Sequence, residues 1–301
     1  MLTGATGFIG LRLQKALLAK GKQVSAVVRP SSSNKDQLLS GVHIVLADLS
    51  DTEKLASVSF DCEAVIYCAG SVRGRNLEDF RAANIDGVRS MVHAINQSGS
   101  ETPLLLISSL AASRPEISDY CNSKFLGEQE VIHHAKFPWT IFRPPAVYGQ
   151  GEREVLPLFK LARKGIVLPA GPAQHSFSLI HVDDLAAAML AWLESWPACR
   201  QQIFSLDDGH SGGYDWREIA ETASGGKYHS FTIPRPLLFA AAGANLLLSG
   251  LFGYSPMLSP GKARELIQSE WLCDNESLSQ ATGWSPAIEL KNGLKKTFGN
   301  H

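Results

Sequence analysis

The sequence predicts an α/β protein built on a doubly wound parallel sheet, and three observations carry that expectation. Short apolar runs alternate with stretches of helical periodicity through the first half of the chain. The chain opens on Thr3-Gly4-Ala5-Thr6-Gly7-Phe8-Ile9-Gly10, a turn with its glycines three apart and an apolar helical pattern directly behind it. Later runs end at Asp48, Gly70 and the pair Ser108–Ser109, small or acidic residues suited to a ligand-facing sheet edge. Strands alternating with helices imply right-handed crossovers and a parallel sheet covered on both faces.

The opening turn sets the chemistry. Leu11, Leu13, Leu17 and Leu18 recur at helical spacing, and Gly21 is placed to end the helix. A glycine-rich turn feeding a helix N-terminus presents backbone N–H groups and positive dipole potential, and missing Cβ atoms let a pyrophosphate approach. An ordinary loop before a helix is the plain alternative. Only Met1 and Leu2 precede Thr3, whereas a central strand uses about five residues. The first strand is therefore expected to be a stub, or the natural chain to start further upstream. A stub would hold Gly4 to Gly10 less firmly and weaken dinucleotide affinity.

Gln23–Val28 reads as the second strand, ending at Arg29. An acidic residue there would bind a ribose 2′-hydroxyl, whereas Arg suits a 2′-phosphate. Arg29, followed by Ser31, Ser32 and Ser33, favours NADP, with NAD the alternative. Val42–Leu46, Ala64–Ala69 and Leu104–Ile107 continue the strands, and Leu77–Gln97 reads as one long helix carrying Asn84. A further helix opens at Asp119, capped by Ser118 or Asp119, and runs to about His134. It puts Tyr120 and Lys124 four apart on one face. An ammonium beside a phenol lowers its pKa, so Tyr120 could act as an acid or base near neutral pH.

In order, the glycine turn, Ser108–Ser109, Tyr120-x-x-x-Lys124, Arg143-Pro144-Pro145-Ala146-Val147-Tyr148-Gly149, Ser178-to-Ala186 (SLIHVDDLA) and Thr282-Gly283-Trp284-Ser285-Pro286 resemble the extended short-chain dehydrogenase/reductase family. That family includes nucleotide-sugar epimerases, dehydratases and 3β-hydroxysteroid dehydrogenases. The resemblance covers nearly the whole chain. It implies a Rossmann-type sheet from residues 1–149 and 175–206, with a smaller, discontinuous substrate-binding region from 150–174 and 207–301. Tyr120 would exchange a proton with the substrate oxygen. Lys124 would bind the nicotinamide ribose and lower the Tyr120 pKa. Ser109, with Ser108 as fallback, would hydrogen-bond the reacting oxygen. Gly4, Gly7 and Gly10 would bind pyrophosphate, Asp48 would lie near the adenine, and Asn84 would line the cofactor site. Thr6, Phe8, Ile9, Leu49, Ala69 and Pro144 complete the expected cofactor contacts. Family members often form homodimers through helices of the nucleotide domain.

Between Ser109 and Tyr120 the chain has a shorter loop than many sugar-modifying members carry, which argues against a nucleotide-sugar substrate. Pro236–Gly261 carries no charged side chain. It fits a buried helix, an apolar wall for a lipid-like substrate, or, through 237–253, a membrane-surface segment. Three functions follow: a ketone–alcohol oxidoreductase on a hydrophobic substrate, a nucleotide-sugar epimerase or dehydratase that retains NAD, or a non-catalytic NADP-binding sensor. Gly209-His210-Ser211-Gly212-Gly213 matches a hydrolase elbow. Asp207, Asp208 and Gly209 separate it from the preceding strand, Gln201–Leu206, so a polar loop is the better account.

Composition narrows the setting. The 301 residues are 45% hydrophobic, enough for a substantial core. With 28 Lys and Arg against 29 Asp and Glu, dispersed along the chain, there is no electrostatic case for nucleic acid. The five cysteines (Cys62, Cys68, Cys121, Cys199, Cys273) lack metal-ligand or redox spacing, and no secretory signal is read, so a cytoplasmic protein without bound metal is expected.

Overall fold

The computed structural model describes residues 1–170 and 175–299. Residues 171–174 of the expected 150–174 segment and the last two residues of the 207–301 segment lie outside the described residues.

Strand β1 (Leu2–Thr3) turns through Gly4–Gly7 into helix α1 (Phe8–Ala19), which Gly21 closes with φ of 70°. Strands β2 (Val24–Val28) and β3 (Val42–Leu46), helix α2 (Thr52–Phe60) and strand β4 (Val65–Tyr67) follow. The expected single helix over 77–97 is two, α3 (Leu77–Arg81) and α4 (Gly87–Ser98), joined by a π-helical turn at Ala82–Asp86. Next come β5 (Leu104–Ile107), α5 (Asp119–His134) and β6 (Trp139–Arg143), a strand the sequence does not single out. Ser118 caps α5, accepting from the Cys121 amide at 3.1 Å.

The rest of the chain contributes β7 (Ala146–Tyr148), α6 (Leu156–Arg163), β8 (Ile166–Val167), β9 (Leu179–His181) and α7 (Val182–Ser195). After these come β10 (Gln202–Ser205), α8 (Trp216–Ser224), β11 (His229–Ser230), α9 (Arg235–Phe252), α10 (Pro260–Leu266), α11 (Glu276–Thr282) and α12 (Leu290–Phe298). The polar loop at Gly209–Gly213 stands away from any strand-to-helix elbow, because α8 starts only at Trp216 behind an Asp215–Glu218 capping box.

Seven strands form one parallel sheet in the order β10-β6-β5-β4-β1-β2-β3. Alternate residues of each strand feed opposite cores. Ala26, Val28, Leu105, Ile107 and Phe142 pack under α1 and α7, against Leu13, Met189 and Trp192. Val27, Leu104, Leu106 and Ile141 pack on the other face with Leu55, Met91, Ile95 and Val131. A third core around Tyr148, Phe159, Leu179, Tyr214 and Leu294 joins α6, α8 and α12.

β1 has only two residues, yet it occupies the centre of the sheet. Leu2 pairs with Ala26 on one side and Ile66 on the other, and the Met1 amino group donates to the Ala64 carbonyl at 2.7 Å. Strand order reverses between β1 and β4. In open parallel sheets this switch point opens a ligand crevice at the carboxyl edge.

α9 does not fit the first of the three readings of this stretch, a buried helix. Just 17% of it is buried, and it is held by one stripe through Leu238, Ala242 and Ser249. Its core contacts are few, with Ala170 and Ala263 as the other buried members of that cluster.

The turn before α1 yields a test. A Cβ on Gly10 would stand 2.3 Å from the Gly4 carbonyl oxygen, a backbone atom that cannot rotate away, whereas one on Gly7 would stand 3.2 Å from it. Gly10→Ala is expected to lower stability by about 2 kcal/mol or more, and Gly7→Ala by less than 1 kcal/mol. Urea denaturation of the two variants measures the difference.

Candidate active site

The site is assembled where β1 and β4 end. Gly4 has φ of 64°, and a Cβ there would collide at 2.6 Å with the backbone of Cys68 and Ala69. The Thr3 Oγ1 accepts from the Ala69 amide at 3.2 Å, locking the two strand ends together. Gly7 is the N-cap of α1, is exposed, and uses no side chain to satisfy the first-turn amides. Those amides are therefore open to an anion. The buried Gln14 braces the turn from beneath, donating to the Ala5 carbonyl at 2.5 Å and accepting from Leu39 N at 3.3 Å. Thr6, Phe8 and Ile9 flank it half-buried, with Phe8 turned toward Gly149 and Gly151. A bare, positively polarised turn at the switch point fits a dinucleotide pyrophosphate.

Arg29 and Asp48 stand exposed just past the parallel strands β2 and β3, on the same sheet edge. Asp48 Oδ1 accepts from Ser50 N and Oγ at 3.2 and 3.1 Å, and Leu49 packs beneath at Gly87. Ala69 is half-buried just past β4.

The two serines after β5 face different ways. Ser108 is buried and donates to Glu128 Oε1 at 2.5 Å, within an ion pair of Glu128 with Arg143. Ser109 is half-buried, accepts from Ala111 N at 3.2 Å, and lies near enough to Tyr120 to act on the phenol. The buried Pro144 accepts from Leu110 N at 2.8 Å and steadies the serine turn. The geometry thus brings Ser109, not Ser108, to Tyr120.

The electrostatics differ from the helix-face expectation. The Tyr120 pKa is raised, not lowered. Loss of water around the phenol is the largest cause; Ser109 and the Lys262 charge oppose it, and Glu265 reinforces it. Lys124 itself is buried and its Nζ is turned to the Ile107 carbonyl at 2.9 Å. Burial pulls its pKa down to about 8, against partial support from Glu128 and Cys68. Spacing of four residues puts two side chains on one face but does not make them partners when one is drawn to a neighbouring strand.

Asn84 sits inside the π-helical turn. Its Oδ1 accepts from Ser71 N, and its Nδ2 donates to Ser71 O and to Ser123 Oγ, all at 2.9 Å. It thereby staples the loop after β4 to α5. The turn is shaped from outside: Tyr67 donates to the Ala83 carbonyl at 2.8 Å, and a Cβ on Gly127 would overlap the Asn84 carbonyl. A Cβ on Gly70 would lie 3.3 Å from Asn84 Oδ1 and 3.9 Å from Lys124 Nζ, so these three groups share one wall.

Tyr120 faces a cavity of about 140 Å³ whose outer wall the sequence does not reveal. Val72, Phe80, Leu246, Pro256 and Met257 supply apolar lining, with Phe80 and Tyr120 ring centroids 5.8 Å apart. The α10 helix closes it, and its bases are engaged. Lys262 pairs with Glu265 at 2.9 Å, and Arg264 donates to the Ile117 carbonyl at 2.6 Å. Glu265 in turn accepts from Ser118, the cap of the Tyr120 helix, at 2.6 Å.

The profile of the NAD dependent epimerase/dehydratase family matches residues 1–204. The chain belongs to that family. It is thus an enzyme of the extended short-chain dehydrogenase/reductase type, with NAD-dependent oxidoreductase, epimerase or dehydratase chemistry. It is 34% identical to a ceramide reductase of Caulobacter vibrioides, across 98% of this chain and 92% of that protein. It is 26% identical to a UDP-glucose 4-epimerase of Vibrio cholerae, across 99% and 93%. Among solved structures, MoeE5 in complex with UDP-glucose and NAD superposes with a TM-score of 0.72 at 19% identity, covering 98% of this chain and 96% of that one. At that identity the likeness shows the fold.

Lys124 gives a test with a defined sign. Its folded pKa, about 8, lies below the ordinary 10.5. Between these values the unfolded chain binds more protons, so the Lys124 contribution to stability rises with pH there and is least favourable below pH 8. Lys124→Met should therefore be more stable than the parent at pH 7, by about 1 kcal/mol after the lost hydrogen bond is allowed for. As pH rises from 8 to 10.5 the parent regains roughly 3 kcal/mol, so the gap should close and then reverse. Urea melts across that range measure it.

Proposed function

We propose that the protein is an NAD(P)-dependent oxidoreductase that interconverts a ketone and a secondary alcohol on a lipid-like substrate. The observation that carries this reading is the wall facing Tyr120. Val72, Phe80, Leu246, Pro256 and Met257 give it an apolar side next to the polar Ser118, Asp119 and Ser259, and two of its three basic residues are paired with carboxylates, Arg75 with Asp79 and Lys262 with Glu265, while Arg264 is turned to the Ile117 carbonyl. A sugar nucleotide would need free cations for its diphosphate. The ceramide reductase relative, by its name, supports a lipid-like substrate, whereas the UDP-glucose 4-epimerase relative represents the competing reading.

When bound, the nicotinamide supplies or accepts the hydride. The chain's own residues handle the oxygen. A phenol with a raised pKa stays protonated at neutral pH, which suits Tyr120 to donating a proton as a carbonyl oxygen gains charge. Ser109, beside the same phenol, would hold that oxygen in place. Lys124, braced against Ile107, would bind the nicotinamide ribose and keep a positive charge near the reacting carbon below pH 8. In oxidation these groups act in reverse.

NADP is the favoured cofactor through Arg29, with NAD as the alternative. Arg29→Asp should cut preference for NADP over NAD by about tenfold or more, because a charge-assisted pair to the 2′-phosphate is lost. Initial rates with the two cofactors measure this.

Tyr120→Phe tests the chemistry itself. Reduction of a long-chain ketone by NADPH should fall by a factor of about 100 or more, while fluorescence titration shows cofactor binding within a few-fold of the parent. Unchanged turnover would remove Tyr120 from the proton-transfer step.

A further inference from the structure

The α9 helix is apolar on the side where a surface helix is ordinarily polar. Its inner stripe, Leu238, Ala242 and Ser249, is buried against the protein. The flank beside it runs Leu237, Ala241, Ala244, Leu248 and Leu251 at spacings of four, three, four and three, with Leu247 on the far side. Leu237, Leu247, Leu251 and Phe252 are 61%, 73%, 79% and 76% exposed. No charged residue occurs from Pro236 to Gly261. Helices apolar all round belong in a core or in lipid, and here the protein covers one flank only.

We propose that the outer face of α9 docks on a lipid bilayer surface, inserting Leu237, Leu247, Leu248, Leu251 and Phe252 among the acyl chains while the inner flank stays on the protein. Two observations select this occupant. First, α9 and the segment after it also border the cavity at Tyr120: Leu246 and Met257 line it, and Met257 is itself exposed. Docking there would bring the cavity mouth at Met257 close to the lipid from which an apolar substrate would come. This part rests on the lipid-like substrate proposed above. Second, the face is too small for a protein partner. The 18-residue helix is about 27 Å long and about 10 Å wide, an area of roughly 300 Å², whereas a standard interface buries about 800 Å² per partner. Insertion into lipid has no such threshold, since each side chain gains independently. The helix lies on the membrane and does not span it, because Leu238, Ala242 and Ser249 hold it along its length.

The test is co-flotation of the full chain with vesicles of mixed phosphatidylcholine and phosphatidylglycerol, beside Leu247→Asp/Leu251→Asp. The parent should float with the vesicles, and bound protein should fall roughly tenfold or more in the double variant. Because both positions are exposed and away from Tyr120, NADPH oxidation with a short, water-soluble ketone should be the same in both. Parent protein remaining with the lipid-free fraction overturns the proposal, and so does a solution dimer that the double variant disperses, since a second copy would then be the occupant. Flotation without turnover of any lipid ketone keeps the docking surface and removes the substrate reading instead.

Discussion

Three backbone segments meet at the centre of the sheet with no room for a Cβ between them. The Gly4 carbonyl, the start of α1 at Gly10, and the end of β4 at Cys68–Ala69 approach so closely that an added methyl at Gly4 or Gly10 would overlap backbone. This contact compensates for the brevity of β1. Two residues offer little strand pairing, but Thr3 and the Met1 amino group tie them to β4, and Gln14 ties the turn to α1 and to Leu39. The candidate cofactor turn is thus fixed to the neighbouring strand, which also carries Gly70 toward Lys124 and Asn84.

From that junction the site is organised by how charge is buried. Lys124 enters a low-dielectric wall with the Ile107 carbonyl as its partner, so its pKa falls. The Glu128–Arg143 pair beneath it takes up Ser108 and leaves Ser109 for the cleft. On the outer side, Glu265 links Lys262 to the Ser118 cap of the Tyr120 helix. Tyr120 is therefore held between two regions distant in sequence, and its raised pKa reflects enclosure by both. The same enclosure sets apolar side chains of Val72, Phe80, Leu246 and Met257 beside polar ones, with Lys262 and Arg75 paired to carboxylates.

Much of this was legible in the residues, and the failures have identifiable causes. The glycine turn, the strand run through β5 and the α5 cap are local signals, and local rules found them. β6 was hidden because Trp139–Arg143 follows Pro138 and mixes Thr and Arg into its run. The π-helical turn at Ala82–Asp86 has no proline or glycine within it to announce it; it depends on Tyr67 and Gly127 reaching it from other elements. The pairing of Ser118 with Glu265 spans 147 residues of sequence, beyond any periodic pattern. Tyr120 and Lys124 were correctly placed on one helix, but their pKa values depend on desolvation, which spacing does not encode. The uncharged 236–261 stretch was recognisable as unusual; that its helix would be mostly exposed was not, because apolar composition alone cannot distinguish a core from a lipid-facing surface.

The central claim is net ketone reduction, as opposed to a cycle that returns its cofactor. It is tested most directly by the stoichiometry of cofactor consumed to product formed, with purified protein offered NADPH and a long-chain lipid ketone in one vessel and UDP-glucose in another. The account predicts one NADPH oxidised for each secondary alcohol formed from the ketone, and no conversion of UDP-glucose. Interconversion of UDP-sugars with no net change in the dinucleotide, and no lipid alcohol formed, would contradict it.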